Sequence, residues 1–277
     1  MIVVTGSSGK AGKAIIKDLL DHGHKVLGVD MLPKSGQTHP YIQANLTDLG
    51  QCYEVLKGAE SVIHMANIPA PEIHPPAKTF VDNTSMNYNI FQAATDLKLE
   101  RVIWASSETT LGLPFDTPPL YAPVDEAHFP HPESSYALSK VVTEEMAAQF
   151  SRWSGLPFIG LRFSNILNPE IYKTFPETCW KDIRARKWNL WGYIDDRDVA
   201  QIARKALTAQ VKGSNNYIVA ANDTVMNRPS KDLMQELFPD VPLKGPLEEY
   251  GTLLSNAKAK DELGFNPEYS WRQTLDS

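Results

Sequence analysis

Residues 1–12, Met1-Ile-Val-Val-Thr-Gly-Ser-Ser-Gly-Lys-Ala-Gly12, constrain the fold more than any other stretch of this chain. A short apolar run leads straight into a turn with glycines at 6, 9 and 12. The pattern is a strand that ends in a tight turn and opens a helix. Gly6 permits the turn, Gly9 lets the backbone approach a pyrophosphate, and Gly12 lets helix and strand pack closely. The helix N-terminus then offers unpaired N–H groups and a partial positive charge to the phosphates. A helical pattern follows (Ala14, Ile15, Ile16, Leu19, Leu20), then His22-Gly23-His24, then a second apolar run, Val26 to Asp30. This is one βαβ unit, and it ends in an acidic residue at the spacing of a ribose-binding carboxylate. It predicts a dinucleotide site.

Asp30 bears on which dinucleotide. A carboxylate there accepts hydrogen bonds from both ribose hydroxyls and repels a 2′-phosphate. The residues that follow, Met31, Leu32, Pro33 and Lys34, include no arginine. NAD is therefore expected over NADP.

Strand-like runs recur at Tyr41–Ala44, Ser61–Ala66, Arg101–Ser106, Pro157–Phe163 and Tyr217–Ala220, with helix-like stretches near 48–58, 78–98, 134–153 and 198–209. The alternation predicts an α/β fold of the Rossmann type, a doubly wound parallel sheet with helices on both faces. Ligands in such sheets lie beyond the carboxyl ends of the strands. After Phe163 the rhythm breaks. Residues 165–197 carry Trp188, Trp191 and several cations, and 222–277 are proline-punctuated. The expected division is a dinucleotide-binding domain at 1–164 plus 198–221, and a small substrate-binding part at 165–197 plus 222–277. Ile68 to Pro76 reads as a proline-rich loop over the site.

A net charge of −6 gives no electrostatic footprint for nucleic acid or an acidic membrane surface, so neither is expected as a partner. The apolar N-terminal run is too short for a signal core or a membrane span. Cys52 and Cys179 form neither a disulfide framework nor a metal-ligand spacing, which points to thiols in the reducing cytoplasm and to no metal.

The second strong feature is Ser134-Ser-Tyr-Ala-Leu-Ser-Lys140. Tyr136 and Lys140 share one face of a helix. A tyrosine is a poor base near neutrality, and a nearby ammonium is expected to favour its phenolate. A tyrosine tuned in this way exchanges a proton with an alcohol or carbonyl. Upstream, Ser106 and Ser107 end an internal strand. Ser107 is the expected partner of the reacting oxygen, and Ser106 the expected cap.

Together these residues resemble the extended short-chain dehydrogenase/reductase family, in its NAD-dependent epimerase/dehydratase branch. Thr5 to Gly12 matches the T-G-x-x-G-x-x-G motif, and Tyr136 to Lys140 matches Y-x-x-x-K. Ala105 to Gly112 matches the segment of the active serine, at Ser107. Asn83 to Ala94, Leu161 to Asn165 and Ser255 to Pro267 resemble three further family segments.

The resemblance implies cofactor contacts from Gly6, Ser8, Gly9, Lys10, Ala11, Gly12, Asp30, Asn45, Leu46, Met65, Ala66, Asn67, Asn83, Ala105, Tyr136, Lys140 and Phe163. It implies substrate contacts from Ile68, Ser107, Glu108, Thr109 and Asn165, with Lys173 or Arg184 as cations for an acidic group. It also implies a homodimer through helices at 83–98 and 134–153.

The departures narrow the activity. Asn45 stands where an aspartate usually meets adenine, and its amide oxygen still accepts a hydrogen bond. Glu108-Thr109 replaces the Asp-Glu pair of sugar dehydratases, which removes the base of that reaction. The short substrate segment also resembles uronate dehydrogenases. The expected activity is hydride transfer from a sugar or sugar derivative to NAD, as a sugar or uronate dehydrogenase. A nucleotide-sugar epimerase with tightly held NAD is the alternative, and a non-catalytic NAD(P)-sensing regulator a further one.

Overall fold

The alternating apolar runs become a seven-stranded, fully parallel sheet in the computed structural model, which describes residues 1–36 and 38–275. In chain order the first half holds β1 (Ile2–Thr5), α1 (Lys10–Asp21), β2 (Val26–Asp30), β3 (Tyr41–Gln43), α2 (Leu49–Leu56), β4 (Ser61–His64), α3 (Pro76–Asp96) and β5 (Arg101–Ser107). The second half holds α4 (Ser135–Ser154), β6 (Phe158–Phe163), β7 (Ile166–Leu167), α5 (Pro169–Tyr172), α6 (Phe175–Thr178), β8 (Ile194–Asp195), α7 (Asp196–Ala206), β9 (Ser214–Val219), α8 (Ser230–Leu237), α9 (Ala257–Leu263) and α10 (Trp271–Leu275). Tight 3₁₀ turns span Glu108–Leu111 and Ile183–Asn189.

The strand order is β3-β2-β1-β4-β5-β6-β9. The chain steps outward from β1 to β3 and then crosses back to β4 on the other side of β1. That reversal leaves a crevice beyond the carboxyl ends of β1 and β4. The fold class expected from the sequence is the one observed.

Both faces of the sheet are covered because its strands are apolar on both sides. On one face α1 and α7 bury Ile15, Ile16, Leu19, Ile202 and Ala203 against Val4, Ile63 and Ile103. On the other, α2, α3 and α4 bury Val55, Phe91, Ala147 and Phe150 against Val62, Val102 and Trp104. Phe91 meets Trp104, Phe150 and Phe158 edge-on, an arrangement that aromatic quadrupoles favour.

A third cluster gathers Tyr172, Phe175, Trp191, Leu233, Leu253 and Trp271. It also takes in Leu111, Phe115, Ala122 and Val124 from the loop after β5, a contribution that the expected division at 165–197 and 222–277 does not include. β7 and β8 pair with each other, apart from the main sheet. No described helix is long and apolar enough to cross a membrane. Cys52 and Cys179 are free and buried.

One buried ion pair locks the elements that matter for the site. Arg162 of β6 donates from Nε and Nη2 to the two carboxylate oxygens of Glu144 on α4, both at 2.8 Å. Ser106 Oγ donates to Glu144 Oε1 at 2.6 Å. Paired and hydrogen-bonded on both oxygens, Glu144 fixes α4 against β5 and β6, and so sets Tyr136 and Lys140 relative to Ser107. Ser106 therefore serves as a strut, not as the expected cap.

Candidate active site

A cavity of about 1160 Å³ runs along the carboxyl ends of the strands. Its first end is made of backbone. Gly6 has φ +64°, in the left-handed region, and a Cβ there would sit 2.7 Å from Ala66 N. A Cβ on Gly12 would lie 2.2 Å from the Gly6 carbonyl oxygen. α1 begins beside this turn with no side-chain cap on Gly9 and no acidic residue in its first turn. Its N–H groups are thus left for an anion. These features fit the pyrophosphate of a dinucleotide.

Asp30 stands next to the turn at the end of β2. Its Oδ2 accepts from Ser8 N at 2.9 Å and its Oδ1 from Leu32 N at 3.1 Å. The carboxylate is held in place by backbone donors and lines the cavity, which fits a ribose diol. Tyr41 Oη donates to Leu32 O and steadies the same loop.

The other end of the cavity holds side chains with acid–base chemistry. α4 opens at Ser134, whose Oγ accepts from Ala137 N at 3.0 Å. Its first turns place Tyr136 and Lys140 on one buried face, with Lys140 Nζ 5.5 Å from the centre of the Tyr136 ring. Lys140 Nζ donates to Ala105 O at 2.7 Å. Ser107 Oγ accepts from Thr109 N at 3.2 Å and from Thr109 Oγ1 at 3.0 Å. It is therefore the cap of the 3₁₀ turn as well as a cavity residue. With Thr109 supplying donors, the Ser107 proton is free for an acceptor in the cavity, which Ser107 and Tyr136 both line.

The electrostatics differ from the sequence expectation. Burial pushes the Tyr136 phenol up to about 12, against the lowering effect of Ser107. Burial lowers Lys140 to about 7, with Glu144 opposing. Lys140 spends a donor on Ala105 O and lies beside the ring, so the expected lowering of Tyr136 by its ammonium does not outweigh desolvation.

Of the cofactor residues expected from the sequence, Gly6, Ser8, Gly9, Lys10, Ala11, Gly12, Asp30, Asn45, Leu46, Met65, Ala66, Asn67, Ala105, Tyr136, Lys140 and Phe163 line the cavity. Asn83 does not. It is fully buried behind the proline-rich loop, where Oδ1 accepts from Ile68 N at 2.8 Å and Nδ2 donates to Ile68 O at 3.1 Å. Its role is to pin that loop. Asn45 lines the cavity, but its amide oxygen already accepts from Thr47 N and Thr47 Oγ1, so it is not a free acceptor for adenine.

Of the substrate residues, Ile68, Ser107, Glu108, Thr109 and Asn165 line the cavity and Lys173 and Arg184 do not. Lys173 is 60% exposed and paired with Glu170, and Arg184 is 68% exposed beside Asp182. The cause is local: short helical turns put each cation within reach of a nearby carboxylate and outside the fold. Trp188 lines the cavity, while Trp191 is fully buried and donates to Ile183 O. Sequence reasoning missed Ser164 and His74, which line the cavity as well. The proline-rich loop does lie over the cavity, through Pro69, Ala70 and Pro71.

The model of the NAD dependent epimerase/dehydratase family matches residues 2–220. The chain belongs to the NAD-dependent epimerase/dehydratase family. It is an enzyme of that family, and its cofactor is NAD. A uronate dehydrogenase from Pseudomonas syringae pv. tomato is 25% identical over 229 residues, covering 81% of this chain and 76% of that protein. A putative UDP-glucose 4-epimerase from Methanocaldococcus jannaschii is 29% identical over 175 residues, 60% of this chain. That match spans 56% of the archaeal protein, just over half its length. Among solved structures, a short-chain dehydrogenase/reductase superfamily protein from Agrobacterium tumefaciens with bound NAD has a TM-score of 0.76 at 21% identity. The alignment covers 100% of this family member and 95% of that chain, a likeness of fold.

Proposed function

We propose that the chain is an NAD-dependent dehydrogenase of a free sugar or sugar derivative. The observation that carries this reading is the convergence of Ser107, Tyr136 and Lys140 at one end of a cavity whose other end fits a dinucleotide. Bound NAD supplies the hydride acceptor. In its phenolate form, the minor one near neutrality, Tyr136 takes the proton of the substrate hydroxyl through Oη. Ser107 Oγ donates to the same oxygen and orients it. Lys140, when protonated, steadies that phenolate before the transfer and, through its remaining donors, holds a ribose hydroxyl.

A free sugar is favoured over a nucleotide sugar by the charges at the reacting end. A diphosphate calls for cations, and the basic residues of 173–187 line no part of the cavity. The uronate dehydrogenase relative, which aligns with most of this chain, supports the same reaction class. The second reading is an epimerase that keeps the reduced cofactor, and the Methanocaldococcus relative favours it.

The test follows NADH absorbance with purified protein, NAD, and neutral aldoses, uronates and nucleotide sugars in parallel. Net NADH with a free sugar is the expected result. Interconversion of nucleotide sugars without net NADH overturns the reading in favour of the epimerase. A second copy of the chain is the macromolecular partner we propose. The outer faces of α3 and α4 expose Val81, Tyr88, Leu138 and Trp153 and suit a two-fold helical interface.

A further inference from the structure

Glu108 follows Ser107 directly and opens the 3₁₀ turn at the reacting end of the cavity. Its side chain lines the cavity yet is 3% exposed. Two separate segments hold it, the one after β6 and the second 3₁₀ turn. Oε2 accepts from Ser164 Oγ at 2.5 Å and Oε1 accepts from Asn189 Nδ2 at 3.1 Å. Asn189 is itself anchored, with Nδ2 also donating to Gly192 O at 2.9 Å. A carboxyl gripped in this way has a fixed position. It offers about four acceptor sites when ionised, so these two donors leave acceptor capacity for a ligand.

The lysines that line the cavity are each tied to an acceptor other than this carboxyl. Lys10 is tied to Ile166 O, Lys78 to Asp82 and Lys140 to Ala105 O. Arg186 feels the charge of Glu108, but its guanidinium donates to Gly192 O, lies 5.0 Å from the Trp188 ring, and does not line the cavity. Tyr136, also buried, is raised further by Glu108. When ionised, Glu108 thus presents a ligand at this end with an acceptor-only group, in a cavity that the half-buried Trp188 ring also lines. A hydroxyl satisfies that acceptor. A ligand carboxylate does not, because two carboxylates sharing one site repel.

We propose that Glu108 is a specificity-determining residue that accepts a hydrogen bond from a substrate hydroxyl and selects an uncharged sugar over the corresponding sugar acid. This deepens the dehydrogenase reading and rests on it for the placement of substrate beside Ser107 and Tyr136. It departs from the uronate named for the Pseudomonas relative, since the acidic group of a uronate finds a fixed carboxyl here.

Titration supports the geometry. Burial raises Glu108 to about 7, with Ser164, Asn189, Asn165 and Arg186 opposing. Discrimination against a sugar acid, which is ionised throughout, therefore grows as pH rises through that region.

The test is calorimetric binding to the enzyme–NADH complex, where no turnover occurs, with galactose against galacturonate and glucose against glucuronate. The uncharged member of at least one pair is expected to bind about ten-fold tighter, a ratio that widens with pH. Glu108→Gln is expected to narrow the ratio about ten-fold and to remove that part of the pH dependence. Lys140 titrates in the same range, and its contribution persists in Glu108→Gln. Ser164→Ala provides a second readout. Losing a donor raises the carboxyl pKa further, so the pH step moves alkaline, which a step due to Lys140 does not do. Tighter binding of the uronate, a ratio unmoved by both substitutions, or no binding of either sugar overturns the proposal. Selective binding without NADH formation in the forward assay removes the dehydrogenase reading alone and leaves the selection by Glu108 standing.

Discussion

The two ends of the cavity are built by different means. At the dinucleotide end the recognising groups are mostly backbone: a glycine turn without side chains, the uncapped N-terminus of α1, and one carboxylate fixed by two N–H groups. At the reacting end they are side chains carried by segments far apart in sequence, Ser107 and Glu108 after β5, Tyr136 and Lys140 on α4, Ser164 after β6 and Trp188 in the second 3₁₀ turn. The first kind of site is specified by a few adjacent residues. The second exists only once the sheet has assembled, and the Glu144–Arg162–Ser106 cluster shows what assembly costs: a buried charge pair whose sole visible task is to hold α4 in place.

Substitutions can break this comparison or sharpen it. The largest effect belongs to the reacting end. Tyr136→Phe is expected to lower kcat on the order of 10³-fold while NAD affinity, measured by calorimetry, stays within about two-fold. Loss of both together would mean the two ends are not separable. Next comes the dinucleotide end. Gly12→Val puts carbon where the Gly6 carbonyl and Ser7 Cα already are, and NAD affinity is expected to fall about 100-fold or more by the same measurement. Asp30→Asn removes the charge that we propose meets the ribose. It is expected to weaken NAD about ten-fold and to narrow the preference over NADP, read from paired titrations.

A smaller effect is thermodynamic. Glu108 is raised from 4.5 to about 7 in the fold. Its neutral form contributes fully below the unfolded value, and that contribution is lost as pH rises through about 7. Relative to Glu108→Gln, the wild type should therefore lose on the order of 1–3 kcal/mol across this window, visible in denaturant titrations at several pH values. The smallest effect is the absence of one. Lys173→Ala and Arg184→Ala should leave kcat/KM within about two-fold, because both side chains point to solvent. A large loss would place the substrate outside the cavity described above.

The same division governs what could be read from the sequence. The glycine turn, Asp30 and the Tyr136–Lys140 pair were legible because each depends on spacing within one element. So was the alternation that dictates a parallel sheet. The reacting end was legible only in part. Nothing local distinguishes Trp188, which lines the cavity, from Trp191, which fills the third core. Ser106 and Ser107 are adjacent and alike, yet strand alternation sends one to Glu144 and the other to Thr109 and the cavity. Asn83 matched a cofactor contact by position, while tertiary packing turns it onto the Ile68 backbone. Asn45 was available as an acceptor in the sequence and is taken by Thr47 in the structure. The expected tuning of Tyr136 by Lys140 failed for a physical reason. Proximity was counted and desolvation, the larger effect for two fully buried groups, was not.

The central claim is that hydride leaves the sugar for good. A sugar deuterated at every ring carbon, incubated with the enzyme and NAD, tests it most directly when both products are examined by mass spectrometry. The account predicts NADH that carries one deuterium in step with an oxidised sugar that has lost one. Deuterium retained in a sugar of changed configuration, with no net reduced cofactor, would contradict it and identify an epimerase.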